Sequence, residues 1–152
     1  MALATRAQHT RNDRPVADYR AYVVEDHARM RSFIVTFVSR TDDLTVTGQA
    51  ATAEAALTDP DLHTANLVIT DLSLPGMSGV ELTRRLCKED SERPIIVLSA
   101  MVERYYVEAA LDAGARAFVA KDCLDKLEDV ILRVLAGEED IRELPIKVGS
   151  QA

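Results

Sequence analysis

Paired cysteines, a basic excess, a glycine-rich phosphate loop and a long apolar run are all missing from this chain of 152 residues. Its two cysteines, Cys87 and Cys123, stand 36 positions apart and form no Cys-x-x-Cys pair, which speaks against a disulfide framework or a zinc knuckle. They read as ordinary reduced thiols. Acidic residues outnumber basic ones by 25 to 18, and the formal charge of −7 opposes unaided binding to a phosphate backbone. No stretch approaches the roughly 18 apolar residues of a membrane span. The opening "MALATRAQHTRNDRP" has no apolar core of the kind a secretory signal needs. The expectation is a cytoplasmic chain with no direct contact to nucleic acid or membrane.

What remains is a chain with 47% apolar and 28% charged residues, enough for one domain with a real core. Residues 1–18 are polar and aperiodic, which predicts a disordered N-terminal arm. Beyond them strand and helix patterns alternate. "AYVV" reads as a buried strand, and Met30, Phe33, Ile34, Phe37 and Val38 recur at helical spacing. "LTVTG" is a second strand, and residues 52–59, closed by Pro60, a second helix. "LVIT" is a third strand, followed by a helix over residues 79–90. Pro94 opens a fourth, "IIVLS", and the next helix ends on Gly114. "AFVA" is the fifth strand, and Leu124, Leu127, Val130, Ile131, Val134 and Leu135 stripe the fifth helix before Gly137.

Five strands alternating with five helices, apolar on both faces, predict an α/β domain: a parallel sheet covered by helices on each side. Such a sheet binds its ligand outside the carboxyl ends of its strands. The residues there are Glu25 and Asp26, Asp71, Ser99 and Lys121, while the second strand offers only Gly48 and Gln49. Each has a plain structural alternative: Asp26 or Ser99 as a helix cap, Lys121 as a solvated cation, Asp71 as the start of a turn. Four strand ends delivering such groups to one edge is a pattern that caps and turns do not explain.

Three carboxylates gathered there repel, two charges about 4 Å apart interacting by roughly 4 kcal/mol at an effective dielectric near 20. They call for a cation, and oxygen ligands at an open edge suit Mg²⁺. His27 has no spaced second histidine and reads as the first turn of the first helix. A metal beside an aspartate, with a hydroxyl and a lysine opposite, is suited to phosphoryl transfer onto the aspartate.

From Tyr22 to Gly137 the chain resembles a receiver domain of a two-component response regulator. "VVEDH" resembles the family's acidic pair, "VITDLSLPGMSGVEL" its phosphoacceptor segment, "IIVLSA" its switch-hydroxyl strand and "ALDAGARAFVAKD" the segment ending in its lysine. The resemblance implies a flavodoxin-like (βα)5 doubly wound sheet with strand order 2-1-3-4-5. It implies a receiver over residues 19–137 and a tail over 138–152. Asp71 would be an exposed phosphoacceptor at the carboxyl edge, taking its phosphoryl group from a sensor histidine kinase. Asp26 would bind Mg²⁺ directly, Glu25 chiefly through water, and the backbone carbonyl of Ser73 would complete the protein ligands with Asp71. Lys121 would meet a phosphoryl oxygen, Ser99 would be the switch hydroxyl and Phe118 the aromatic switch, beside its plainer reading as a core ring. The protein would then be a signalling phosphoacceptor rather than an enzyme, with only self-catalysed phosphotransfer and autodephosphorylation.

Four departures from the family pattern stand out. The acidic pair is Glu-Asp where Asp-Asp is common, and Ser99 stands where threonine is more frequent. Asp122 follows the lysine where many receivers have proline. Ser73 and Met101 occupy the two positions that tune phosphoryl lifetime in the family, and neither is an acid or a base.

The segment "LDAGARAFVAKDCLDKLEDVILRVLAGE" resembles receivers of the LuxR/NarL-type transcription regulators. Only 15 residues follow Gly137, too few for a recognition helix and its supports when a helix averages about 11–12 residues. Two readings stand: a stand-alone receiver acting on a downstream protein effector or through a phosphorylation-dependent homodimer, or the receiver fragment of a longer helix-turn-helix regulator. The tail's apolar residues Ile141, Leu144 and Ile146 favour the first, as a segment that packs back or binds a partner. The output surface expected is the face of the predicted fourth helix, fifth strand and fifth helix, with at least one of Tyr105 and Tyr106 exposed. A rival class, the aspartate-nucleophile phosphatases, needs a second acid at position 73, where this chain has serine.

Overall fold

The computed structural model describes residues 19–146. The arm expected over residues 1–18 and the last six residues of the tail lie outside them. The elements are β1 (Tyr19–Val24), α1 (Ala28–Ser39), β2 (Leu44–Ala50), α2 (Ala53–Leu57), α3 (Pro60–His63), β3 (Leu67–Asp71), α4 (Gly79–Glu89), β4 (Ile95–Ser99), α5 (Arg104–Asp112), β5 (Ala117–Ala120), a 3-10 segment (Lys121–Lys126), α6 (Leu127–Leu135) and β6 (Ile141–Glu143). The predicted fourth and fifth helices are α5 and α6.

All pairings are parallel, and the sheet runs β2-β1-β3-β4-β5-β6. The predicted order of the first five strands holds, and a sixth strand extends the sheet beyond β5. β3 and β4 are buried along their whole length, as central strands covered on both faces must be. Alternate side chains go to opposite faces. Val23, Ile69, Ile96, Leu98 and Val119 pack with Ile34 and Val38 of α1 and with Val130, Ile131 and Val134 of α6. Tyr22, Val24, Val68 and Ile95 face Ala53, Leu62, Leu82 and Leu86 of α2, α3 and α4. Truncating one of the larger of these to alanine would cost about 2–5 kcal/mol.

The helix expected over residues 52–59 is α2, and a second short helix, α3, follows it from Pro60. Thr52 caps α2 by accepting from the Ala55 amide, and Asp59 caps α3 by accepting from the Asp61 amide. Pro60 between them has no N–H to continue the first helix but suits the first turn of the second.

β6 falls in the stretch read from sequence as tail. Gly137 and Asp140, with φ of 101° and 59°, turn the chain back after α6, and Ile141 becomes 4% exposed beside β5. Leu144 and Ile146 stay exposed, so only the first of the three apolar tail residues packs back.

Candidate functional site

Parallel registers bring four strand ends to one edge: Val24 lies opposite Thr70, Asp71 opposite Leu98, and Ser99 opposite Ala120. Glu25, Asp71, Ser99 and Lys121 therefore meet there, as the sequence pattern predicts. The Lys121 ammonium joins two of them, donating to Glu25 Oε1 at 2.9 Å and to Asp71 Oδ2 at 3.0 Å. Glu25 is fully buried, and its second carboxylate oxygen accepts from the His27 amide at 3.2 Å. Arg31 Nη1 donates to the Glu25 carbonyl at 2.8 Å, fixing the backbone from the first turns of α1.

Asp71 is 4% exposed, against the exposed position expected from sequence. The loop that follows β3 and the start of α4 pack against its backbone. The Gly79 amide donates to the Leu72 carbonyl at 2.8 Å, and a Cβ on Gly79 would lie 2.0 Å from the Asp71 carbonyl oxygen. Only glycine lets the helix begin that close. Ser78 caps α4 by accepting from the Glu81 amide at 3.1 Å, and Thr83 Oγ1 donates to the Gly79 carbonyl at 2.7 Å. Gly76, at φ +75°, turns the loop, and the Met77 amide beside it donates to Glu54 Oε2 at 2.8 Å. Gly79 and Glu54 are the supporting residues that sequence reasoning missed. The Ser-x-x-Glu capping pattern at residues 78–81 was the available signal for the first, and nothing local marked the second.

Burial pushes the Asp71 carboxyl above its ordinary value, and the charge of Glu25 pushes the same way. Lys121 offsets this only in part. For Lys121 itself burial disfavours the charge, but its hydrogen bonds to Glu25 and Asp71 prevail and hold the ammonium above its ordinary range. The cation stays charged between two carboxylates.

Beside this bridge, one ligand atom each from Glu25, Asp26 and His27 lies within 4.8 Å of the others. Asp26 Oδ1 is buried and accepts no hydrogen bond among the described residues, with His27 Nδ1 3.4 Å away. A buried carboxylate oxygen with no donor has an unmet demand that a cation supplies. The oxygen-rich donor set fits a hard divalent ion such as Mg²⁺. His27 is the residue just before α1 rather than its first turn, makes no side-chain cap, and has an exposed ring. Ser73 sits in the loop, its amide 3.4 Å from Asp71 Oδ1.

The Ser99 hydroxyl donates to the Met101 carbonyl at 2.8 Å and accepts from the Met101 amide at 2.9 Å. It is thus engaged with the β4–α5 loop. Phe118 is fully buried with Leu72, Val97, Val107 and Ala110, between the sheet and α5. Tyr105 on α5 is 76% exposed, its ring edge-on to Tyr106 at 5.3 Å.

A family model described as the response regulator receiver domain matches residues 21–133. The uncharacterized transcriptional regulatory protein YhcZ of Bacillus subtilis is 34% identical over 100 residues, covering 66% of this chain and 47% of YhcZ. The response regulator GacA of Pseudomonas protegens is 29% identical over 123 residues, covering 80% of this chain and 58% of GacA. The chain thus spans about half the length of the curated relatives it matches. Among solved structures, a LuxR-family two-component response regulator from Aurantimonas superposes with a TM-score of 0.76 at 28% identity, over 83% of this chain and 89% of that one. The NarL signal receiver domain from Mycobacterium tuberculosis gives 0.73 at 26%, over 80% and 98%.

Proposed function

The chain belongs to the response regulator receiver domain family, and from that premise we propose that Asp71 is its phosphoacceptor, charged by a sensor histidine kinase. A carboxylate oxygen of Asp71 attacks the phosphorus of a phosphohistidine. The new O–P bond forms as the P–N bond breaks, and the imidazole leaves with the electron pair and takes up a proton. Lys121, already 3.0 Å from Asp71 Oδ2, neutralises a phosphoryl oxygen in flight. Asp26, Asp71 and the Ser73 carbonyl would hold Mg²⁺, with Glu25 acting chiefly through water. When bound, the ion supplies positive charge to the phosphoryl oxygens. The observation that carries this reading is the Lys121 bridge between Glu25 and Asp71 beside the buried Asp26 oxygen that accepts no hydrogen bond among the described residues.

Phosphorylation then acts as a population shift. Ser99 leaves the Met101 backbone for the phosphoryl group, Phe118 repacks, and the face formed by α5, β5 and α6 changes its affinity for a protein effector or a second copy. The reading as the receiver portion of a longer helix-turn-helix regulator is favoured by relatives that are transcriptional regulatory proteins about twice as long.

Incubation with acetyl phosphate and Mg²⁺, followed by intact-mass measurement, tests the proposal. One phosphoryl group per chain is expected, and none in Asp71→Asn. Labelling that persists in the variant means another nucleophile, and repeated turnover at phosphatase rates would move the protein into an enzyme class.

A further inference from the structure

β6 occupies the edge of β5 on the face assigned above to output. It is three residues long, with Ile141 opposite Ala117, Arg142 opposite Phe118 and Glu143 opposite Val119. The Ile141 amide donates to the Arg116 carbonyl at 3.1 Å, and its side chain joins the core with Val119 and Leu127. The next two residues reach the helices on either side. Arg142 Nη1 donates to Glu108 Oε2 of α5 at 2.7 Å, and Glu143 Oε2 lies 3.8 Å from Arg133 Nη1 of α6. Arg133 also holds Glu138 in the connector at 3.0 Å. One short segment thereby fastens both helices across β5.

The fastening is weak by construction. Both partners of the Arg142–Glu108 pair are more than a third exposed, where an ion pair adds little. The segment is entered through Asp140 at φ 59°, a left-handed conformation uncommon for a residue with a side chain. Short segments with few buried contacts open first. This one is also a single strand from the switch residues. Arg142 is opposite Phe118, Phe118 is opposite Val97, and Ser99 ends the same strand as Val97.

We propose that β6 is an intramolecular strap that closes the output face in the unphosphorylated chain and loosens when Asp71 is phosphorylated. The inference rests on the phosphoacceptor reading of Asp71. Movement of Phe118 disturbs its cross-strand neighbour Arg142, and the tie to Glu108 goes with it. Release would leave the β5 edge with unpaired backbone groups and Glu108 with only the 4.0 Å pair to the exposed Arg104. The partner that fits is therefore an extended peptide segment carrying a basic residue, which pairs with β5 as β6 does and displaces it.

The test uses the full chain with Mg²⁺ and beryllium trifluoride, an analogue of the phosphoryl group. Binding is read by fluorine NMR and opening by hydrogen exchange at the Ile141 amide. Exchange at Ile141 should speed by about five- to tenfold on binding, while amides of β3 stay protected. Coupling is reciprocal, so Arg142→Ala, at an exposed position, should speed Ile141 exchange without the analogue and tighten its binding by a similar factor. Binding with unchanged Ile141 exchange overturns the strap, as does an Arg142→Ala chain whose affinity is unaltered. Failure of the analogue to bind the wild-type chain overturns the phosphoacceptor reading instead, and the strap's link to it.

Discussion

Gly79 lies so close to Asp71 that a side chain on it would fall 2.0 Å from the Asp71 carbonyl oxygen. The start of α4 is thereby pinned to the end of β3, and the residue that carries the site's central carboxylate is fixed by a contact between two backbones. Gly79→Ala should destabilise the fold by about 1–3 kcal/mol, since backbone cannot yield as a side-chain tip does. Alanine's better helix propensity, worth up to about 1 kcal/mol, is too small to reverse the sign. Urea unfolding measures it, and a variant as stable as wild type would show that α4 moves freely against β3.

Asp71 is held at a cost to stability. Its folded carboxyl binds a proton more readily than in the unfolded chain, because burial outweighs Lys121. The folded state therefore carries the extra proton, and stability falls as pH rises from the ordinary carboxylate value of 3.8 through the raised one. At neutral pH, without metal, Asp71→Asn should melt a few degrees above wild type. The gain should shrink toward pH 4, and a lower melting temperature at pH 7 would contradict the burial argument.

Mg²⁺ should stabilise the wild-type chain, by about 2.7 kcal/mol at a hundredfold excess over Kd. Asp26→Asn should lose most of this response while folding normally, because the side chain is partly exposed and its buried oxygen has only the exposed His27 ring, 3.4 Å away, beside it. Melting curves over a Mg²⁺ titration decide it. An unchanged response in the variant would place the ion elsewhere.

His63 ties the end of α2 to the end of α4. Its Nε2 lies 2.8 Å from the Leu57 carbonyl and its Nδ1 2.8 Å from Glu89 Oε2, and only the doubly protonated ring donates to both. Those contacts raise the histidine above its ordinary 6.5, and the histidine lowers Glu89 below its ordinary 4.5. The histidine's contribution is complete below pH 6.5 and fades as pH rises through its raised folded value. That of Glu89 is complete above pH 4.5 and fades as pH falls through its lowered one. Both groups are over a third exposed, so the pair is worth no more than about 0.5 kcal/mol after screening. His63→Gln should flatten the small decline in melting temperature between pH 6 and 8.

The chain is most legible where periodicity meets chemistry. The run "LVIT" followed by an acid specified both a buried strand and the place where it stops, and β3 ends at Asp71. The chain is less legible at α2 and α3, because Pro60 punctuates a helix without saying whether another begins. β6 is not legible in sequence because three residues are too few to show a period, and Ile141 reveals its role only against Val119 and Leu127.

Local pattern by itself determined the alternation of strands and helices and the strand ends that carry Glu25, Asp26, Asp71, Ser99 and Lys121. Hydrophobic spacing is a short-range property and is written in order along the chain. Tertiary structure alone decided that Lys121 bridges Glu25 and Asp71 across separations of 96 and 50 residues. It also decided that Gly79 meets the backbone of Asp71, that Ser99 is turned to Met101, and that the tail closes the edge of β5. Those facts depend on which backbones approach within a few ångströms, and no single segment contains that distance.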